Sequence, residues 1–173
     1  MPHHPLKILF LCTHNSARSI LAEALLNHLG KGRFVAYSAG SSPRASQQPH
    51  PLGLQVLGAA GVSTQGLRSK AWDEFAHADA PQMDLIITVC DNAAGEVCPI
   101  WPGHPATAHW SYADPSGVGG DEVQQLKAFR QTLYALRGRL ELLINLPATS
   151  VDRLMLQTHA RAVAKLDAAA SGA

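Results

Sequence analysis

The spacing of apolar residues divides the chain into alternating strands and helices. Two apolar runs, at residues 6–11 (LKILFL) and 83–89 (MDLIITV), have the length and composition of buried strands in a parallel sheet. Shorter runs predict two further strands, and helical spacing predicts two helices that each end at a glycine. These further elements are strands at residues 34–38 and 107–110 and helices at residues 20–29 and 52–60.

A longer helix follows the last predicted strand. Its apolar positions follow 3-4-3-4-3 spacing and form one continuous stripe: Leu126, Phe129, Leu133, Leu136, Leu140 and Leu143. Asp121 and Gln124 are spaced as a capping box at its start, and Pro147 marks its end. A further helix is predicted from Val151 to Leu166. Alternating strands and helices predict an α/β fold with a mostly parallel sheet, which binds ligands beyond the carboxyl ends of its strands.

Composition excludes several classes of protein. The 173 residues suit one domain, and 14 Lys and Arg against 13 Asp and Glu give a net charge of +1. This balance argues against a protein that coats nucleic acid and against an acidic disordered chain. Three cysteines are too few, and odd in number, for a disulfide framework, so we expect reduced thiols. No signal-peptide pattern and no apolar run of about 18 residues is present, which predicts a cytoplasmic protein.

The segment between the first strand and the first helix has the form C-x5-R-S. It consists of Cys12, Thr13, His14, Asn15, Ser16, Ala17, Arg18 and Ser19. Its backbone N–H groups and the following helix N-terminus can converge on a tetrahedral oxyanion, which Arg18 can hold with two parallel bonds. The same positive field is expected to lower the pKa of Cys12 and make it a nucleophile, with Ser19 as a donor to the thiolate. The alternatives are a buried structural Cys12 with a surface Arg18, and a purely conformational role for His14.

Two other segments carry possible chemistry. Asp114-Pro115 precedes three glycines within five residues and suits a general acid on a mobile loop, although such a pair also marks simple turns. Cys90 follows the second strong strand, and Cys98 lies eight positions later, which suits a redox pair. Two buried apolar cysteines are the alternative reading. A zinc site is disfavoured, because no C-x2-C pair is present and the nine histidines are scattered.

Residues 8–26 (ILFLCTHNSARSILAEALL) resemble the signature of the low-molecular-weight phosphotyrosine phosphatase superfamily, and its arsenate reductases more than its phosphatases. The resemblance covers about residues 6–146. It implies a three-layer α/β fold with a four-stranded parallel sheet flanked by helices. Residues 1–147 would be the catalytic domain, and residues 148–173 a helical extension of it. It further implies that Cys12 is the nucleophile, that residues 13–19 bind the oxyanion and that Asp114 is the acid.

The resemblance also implies a route for electrons. Cys12 attacks arsenate, Cys90 resolves the adduct as a Cys12–Cys90 disulfide, and Cys98 then forms Cys90–Cys98. An external thioredoxin, glutaredoxin or low-molecular-weight thiol would reduce that last disulfide, with no bound cofactor and a monomeric enzyme. Eight helical residues span about 12 Å, so the last disulfide requires local unfolding. The alternatives are a phosphatase that uses Cys12, Arg18 and Asp114 alone, and a non-catalytic oxyanion-binding regulator.

One departure from the resembled family concerns a potassium site. Asn15, Glu23 and Ser38 match three ligand positions of reductases that bind potassium, whereas Lys70 stands in for the fourth, an acidic one. An ammonium there would replace the cation, so we expect no potassium requirement. The alternative is that Lys70 is an ordinary surface lysine.

Overall fold

The computed structural model describes residues 4–90, 105–145, 157–158 and 160–165. Four strands and three longer helices alternate along it, as the apolar spacing predicts. They are β1 (Leu6–Cys12), α1 (Arg18–Leu29), β2 (Phe34–Gly40), α2 (Pro51–Ala59), β3 (Leu85–Thr88), β4 (Ala106–His109) and α3 (Glu122–Ile144). Two short 3-10 turns lie at Trp72–Phe75 and Pro115–Gly117.

The four strands form one parallel sheet in the order β2-β1-β3-β4. β1 is central and pairs with β2 from Leu6 opposite Phe34 to Cys12 opposite Gly40. All carboxyl ends therefore lie at one edge, where Cys12 and the residues after β3 and β4 meet. Together with the flanking helices, this confirms the predicted α/β fold with a four-stranded parallel sheet.

Both faces of the sheet are buried, which explains why β1 and β3 are apolar without alternation. Ile8 and Phe10 face the larger core, where α1, α2 and α3 pack. Leu9 and Leu11 face a smaller core closed by the Trp72–Phe75 turn. From Ile8 onward, β1 is thus buried on both faces, and it ends at Cys12.

β3 is shorter than the run that predicts it. The Asp84 carboxylate accepts a hydrogen bond from the Lys7 backbone N–H at 2.8 Å, so the residue before β3 uses its side chain as well as its backbone. Met83 packs in the smaller core. Apolar character therefore extends beyond the regular ladder, because burial on one face does not require strand pairing.

Capping fixes the start of α3. The Asp121 side chain accepts from the Gln124 backbone N–H at 2.9 Å, and the Gln124 side chain accepts from the Asp121 N–H at 3.1 Å. This is the predicted capping box, and the predicted apolar stripe from Phe129 to Leu143 is buried below it. Among the described residues, no helix is both long enough and apolar enough to cross a membrane.

Residues 157–158 and 160–165, the described part of the predicted C-terminal helix, are helical and pack beside β4. Ala160 and Val163 are buried in the larger core, and the Trp110 indole donates to the Ala160 carbonyl at 2.9 Å. Side chains of Gln157 and Arg161 donate to the Thr107 carbonyl at 3.1 and 3.2 Å. This C-terminal segment therefore covers the outer edge of β4.

Candidate active site

The loop from Cys12 to α1 wraps tightly against the end of β2. The Ser41 and Ser42 N–H groups donate to the Cys12 and Thr13 carbonyls at 3.0 and 2.8 Å. Gly40 lies directly beneath the loop, and a Cβ there would come within 2.7 Å of the Thr13 carbonyl oxygen. The loop is thus pinned to β2 at a distance that only glycine permits.

Asn15 organises the loop from inside. It is fully buried with φ of 55°, in the left-handed region that Asn tolerates better than most residues. Its amide donates to the Ser19 and Ser38 hydroxyls at 2.8 and 2.9 Å and accepts from the Lys70 N–H at 3.0 Å. Since Ser19 accepts here, its O–H is left to act as a donor.

Arg18 and Asp114 lie close together at the carboxyl edge of the sheet. Arg18 opens α1, whose N-terminus receives no side-chain cap from the described residues. One guanidinium nitrogen donates to the Tyr112 carbonyl at 2.9 Å, and the other lies 3.7 Å from the Asp114 carboxylate. The first-turn N–H groups and Arg18 can therefore bind an anion, with the Asp114 carboxyl group close to Arg18.

The Asp114 carboxyl is oriented by its own turn. One oxygen accepts from the Ser116 N–H at 3.0 Å and from the Ser116 hydroxyl at 2.7 Å. Pro115 is buried and anchors the turn, whereas the Asp114 side chain is 43% exposed. An anchored turn with an exposed carboxyl suits an acid that approaches a bound anion from solvent.

Cys12 and Cys90 are both buried at the ends of neighbouring strands, and the two thiols interact. The Cys90 sulfur also lies 3.5 Å from the Thr13 hydroxyl. The contact with Cys90 and then burial raise the pKa of Cys12, and the Arg18 charge only partly opposes them. The expected lowering of the Cys12 pKa is therefore wrong for this resting arrangement, because the neighbouring thiol stabilises the protonated form. Cys98 lies outside the described residues.

Lys70 is a partly buried residue beside the loop whose side chain is only 9% exposed, so it is not an ordinary surface lysine. Its ammonium lies 3.7 Å from the Glu23 carboxylate and donates to the Arg68 carbonyl at 2.9 Å. The Glu23 carboxylate also accepts from the Ser38 hydroxyl at 3.2 Å. Burial raises the pKa of Glu23 and lowers the pKa of Lys70, although each charge favours the other. The ammonium thus stands beside Glu23 and Ser38, as the resemblance predicts.

The sequence does not predict two features of the site, the need for Gly40 and the Tyr112 contact, and it leaves the role of His14 undecided. Gly40 ends the strand beside Cys12, and only the structure shows how closely the loop approaches it. The Tyr112 contact uses a backbone carbonyl, so the residue type does not indicate it. The His14 Nδ1–H donates to the Ser42 carbonyl oxygen at 3.0 Å, which ties His14 to the conformation of the loop. Within the described ranges, no group of three or more His, Cys, Asp or Glu residues could hold a metal ion.

A match to the low molecular weight phosphotyrosine protein phosphatase family covers residues 7–154. The chain belongs to this family. Similar proteins include an arsenate reductase from Bacillus licheniformis, 34% identical over 78% of this chain and 91% of that protein. A glutaredoxin arsenate reductase from Synechocystis is 28% identical over 80% of this chain and 95% of that protein. The resemblance drawn from residues 8–26 is confirmed.

Solved structures agree with this assignment. An arsenate reductase in a phosphate-binding state superposes with a TM-score of 0.64, at 28% identity, over 80% of this chain and 96% of that one. A thioredoxin-dependent arsenate reductase from Corynebacterium glutamicum gives a TM-score of 0.53, at 27% identity, over 82% of this chain and 65% of that one. The fold and the family are therefore those of the low-molecular-weight phosphatases, with arsenate reductases among the relatives.

Proposed function

We propose that this protein reduces arsenate to arsenite through Cys12, Cys90 and Cys98. The observation that carries the proposal is the place of the buried Cys90 thiol, 3.5 Å from the hydroxyl of Thr13 and next to Cys12, at the sheet edge where Arg18 and Asp114 lie. Hydrolysis of a phosphate ester needs one nucleophilic thiol and water. A second thiol in contact with the nucleophile instead suits the two-electron reduction of an adduct.

In the first step, arsenate is held by the loop N–H groups of residues 13–19 and by Arg18. The Cys12 sulfur forms a bond to arsenic(V), and an oxygen leaves as water with a proton from Asp114. Because its resting pKa is raised, Cys12 must lose its proton as the oxyanion enters, and a bound arsenate oxygen can accept it. Ser19, which already accepts from Asn15, donates to the thiolate.

In the second step, the Cys90 thiolate attacks the Cys12 sulfur of the adduct. The electron pair of the sulfur–arsenic bond goes to arsenic, so arsenic(V) becomes arsenic(III) and arsenite leaves. Cys12 and Cys90 are oxidised to a disulfide. Cys98 then attacks Cys90 and releases Cys12 as a thiolate, and an external dithiol reduces the resulting Cys90–Cys98 disulfide.

The external reductant is proposed as a thioredoxin, a glutaredoxin or a low-molecular-weight thiol. The Synechocystis and Corynebacterium relatives carry glutaredoxin and thioredoxin in their names, and they support either partner equally. The enzyme is proposed to act as a cytoplasmic monomer without bound cofactor, in which residues 148–173 belong to the catalytic domain. Light scattering of the purified chain tests the monomer.

Phosphatase activity is the second candidate, and the second buried thiol makes it the weaker one. Hydrolysis of a phosphate ester uses Cys12, Arg18 and Asp114 alone, and it gives Cys90 no role in the reaction. Slow hydrolysis of small phosphate esters is still expected, because the anion site cannot distinguish arsenate from phosphate by charge or shape.

Arsenate reduction coupled to NADPH through purified thioredoxin and glutaredoxin systems tests the proposal. Cys12→Ser, Cys90→Ser and Cys98→Ser should each abolish turnover. Hydrolysis of p-nitrophenyl phosphate serves as the control, because only Cys12→Ser should abolish it. Mass spectrometry should trap Cys12–Cys90 in Cys98→Ser. Undiminished arsenate turnover in Cys90→Ser would refute the relay and favour the phosphatase.

A further inference from the structure

Arg139 is a buried cation on an otherwise apolar helix face. It lies on α3 among Leu136, Leu140 and Leu143, and is only 8% exposed. Burial of a guanidinium on such a stripe is unfavourable unless its surroundings compensate for the lost water. A leucine at position 139 would extend the apolar surface of α3, so core packing alone does not account for an arginine there.

Two aromatic rings on the strand side receive the Arg139 guanidinium. It lies 4.6 Å from the centroid of the Tyr112 ring and 5.9 Å from that of the Trp110 ring. Both distances fall within cation–π range, and the attraction is strongest where water is excluded. Arg139 thus joins α3 to the segment that connects β4 with Asp114.

The same segment contacts Arg18, the arginine that is proposed to bind the anion. The Tyr112 carbonyl accepts from Arg18 at 2.9 Å, and the Trp110 N–H donates to the Thr88 carbonyl at 2.8 Å. A shift of Tyr112 as a whole, after loss of the contact that holds its ring, would therefore displace the carbonyl that orients Arg18. Asp114 follows two residues later, 3.7 Å from Arg18.

We propose that Arg139 is a positioning residue for the oxyanion site, which fixes Tyr112 by stacking on its ring so that the Tyr112 carbonyl orients Arg18. The inference deepens the proposed function, because it concerns the site that would bind arsenate. Arg139 itself does not touch the anion. Its effect reaches the substrate through the backbone of Tyr112.

Inorganic phosphate is the probe, and its affinity is measured by calorimetry on protein whose folding is verified by circular dichroism. Arg139→Met keeps the length of the side chain and removes the cation. It should weaken phosphate binding about 5- to 30-fold, the range of a desolvated cation–π contact. Arg139→Lys should restore most of the affinity. Arg137→Met is the matched control on the same helix, since Arg137 is exposed and paired with Glu141, and it should leave the affinity unchanged.

A double-mutant cycle separates positioning from plain stability. Tyr112→Leu removes the ring but keeps the carbonyl, so Arg139→Met should have little further effect on phosphate affinity in that background. Wild-type affinity in a folded Arg139→Met, or additive effects in the cycle, would overturn the inference. If Arg139→Met fails to fold, Tyr112→Leu decides it, because an unchanged phosphate affinity in that variant overturns the inference.

The same measurements distinguish this inference from the proposed function. Phosphate binding that responds to Arg139 without any arsenate reduction would reject the reductase and keep the positioning role. Absence of phosphate binding in the wild type would overturn both.

Discussion

Gly40→Ala should disable the anion loop, and the structure shows how strongly. The added Cβ would lie 2.7 Å from the Thr13 carbonyl oxygen, 3.0 Å from the Asn15 nitrogen and 3.0 Å from the His14 carbonyl carbon. Ordinary carbon–oxygen contacts begin at about 3.3 Å, so the loop backbone must shift by roughly 0.5 Å. All three neighbours are backbone atoms, and no side chain can turn away to make room.

The shift falls on the segment whose N–H groups must meet an anion. Overpacking of this kind costs about 1–3 kcal/mol of unfolding free energy. Donors need distances of about 2.7–3.1 Å to the oxyanion, so a displacement of this size should weaken phosphate binding about 10-fold or more. Urea denaturation measures the first effect and phosphate calorimetry the second.

Gly58→Ala is the matched control for Gly40→Ala. Gly58 is an exposed residue of α2, and a Cβ there meets no heavy atom within 4 Å. The substitution should stabilise the protein by about 0.5–1 kcal/mol through helix propensity and leave phosphate affinity unchanged. If Gly40→Ala matched the wild type in both stability and phosphate affinity, the close approach of loop and strand would not matter for binding.

Three further predictions concern the ion pair of Glu23 with Lys70 and the C-terminal segment. Lys70→Met should leave Glu23 buried without the neighbouring ammonium and lower arsenate reduction. Potassium chloride, but not sodium chloride, should restore arsenate reduction in this variant. Stimulation of the wild type by potassium would contradict the prediction. Burial raises the pKa of Glu23 above its ordinary 4.5, so the folded state binds the proton more readily. The wild type should therefore gain unfolding free energy relative to Glu23→Gln as the pH falls from about 7 to about 5, and a flat difference in urea titrations would contradict the shift. Removal of residues 148–173 should uncover Trp110 and cost about 2–4 kcal/mol in urea unfolding, and an unchanged midpoint would show that the segment does not stabilise the domain.

Sequence patterns predict the features that depend on local order. The apolar runs locate β1 and β3, and the C-x5-R-S spacing brings Cys12 and Arg18 to one loop because a strand and a helix flank it. The Asp121–Gln124 capping box is equally local. Such features need no knowledge of what lies across the molecule.

Contacts between distant parts of the chain decide what the sequence does not predict. The raised pKa of Cys12 depends on Cys90, which approaches only because β1 and β3 are neighbours in the sheet. Stacking of Arg139 on Tyr112 joins α3 to the segment after β4. Arg139 lies beside the leucine stripe of α3, and nothing in the local sequence indicates that it is buried. Electrostatics and packing across elements therefore need the three-dimensional structure.

The cover over β4 has a consequence for how the chain reaches its folded state. Gln157 and Arg161 close the Thr107 carbonyl at the outer edge of the sheet, and both follow all four strands in the chain. During synthesis, the sheet can therefore assemble before its last edge is protected, and an unprotected edge strand invites pairing with other chains. Ribosome-bound chains that end before residue 157 should be the species that chaperones capture. Residues 157 and 161 can thus protect the edge of β4 only after all the strands described for the sheet have been synthesised.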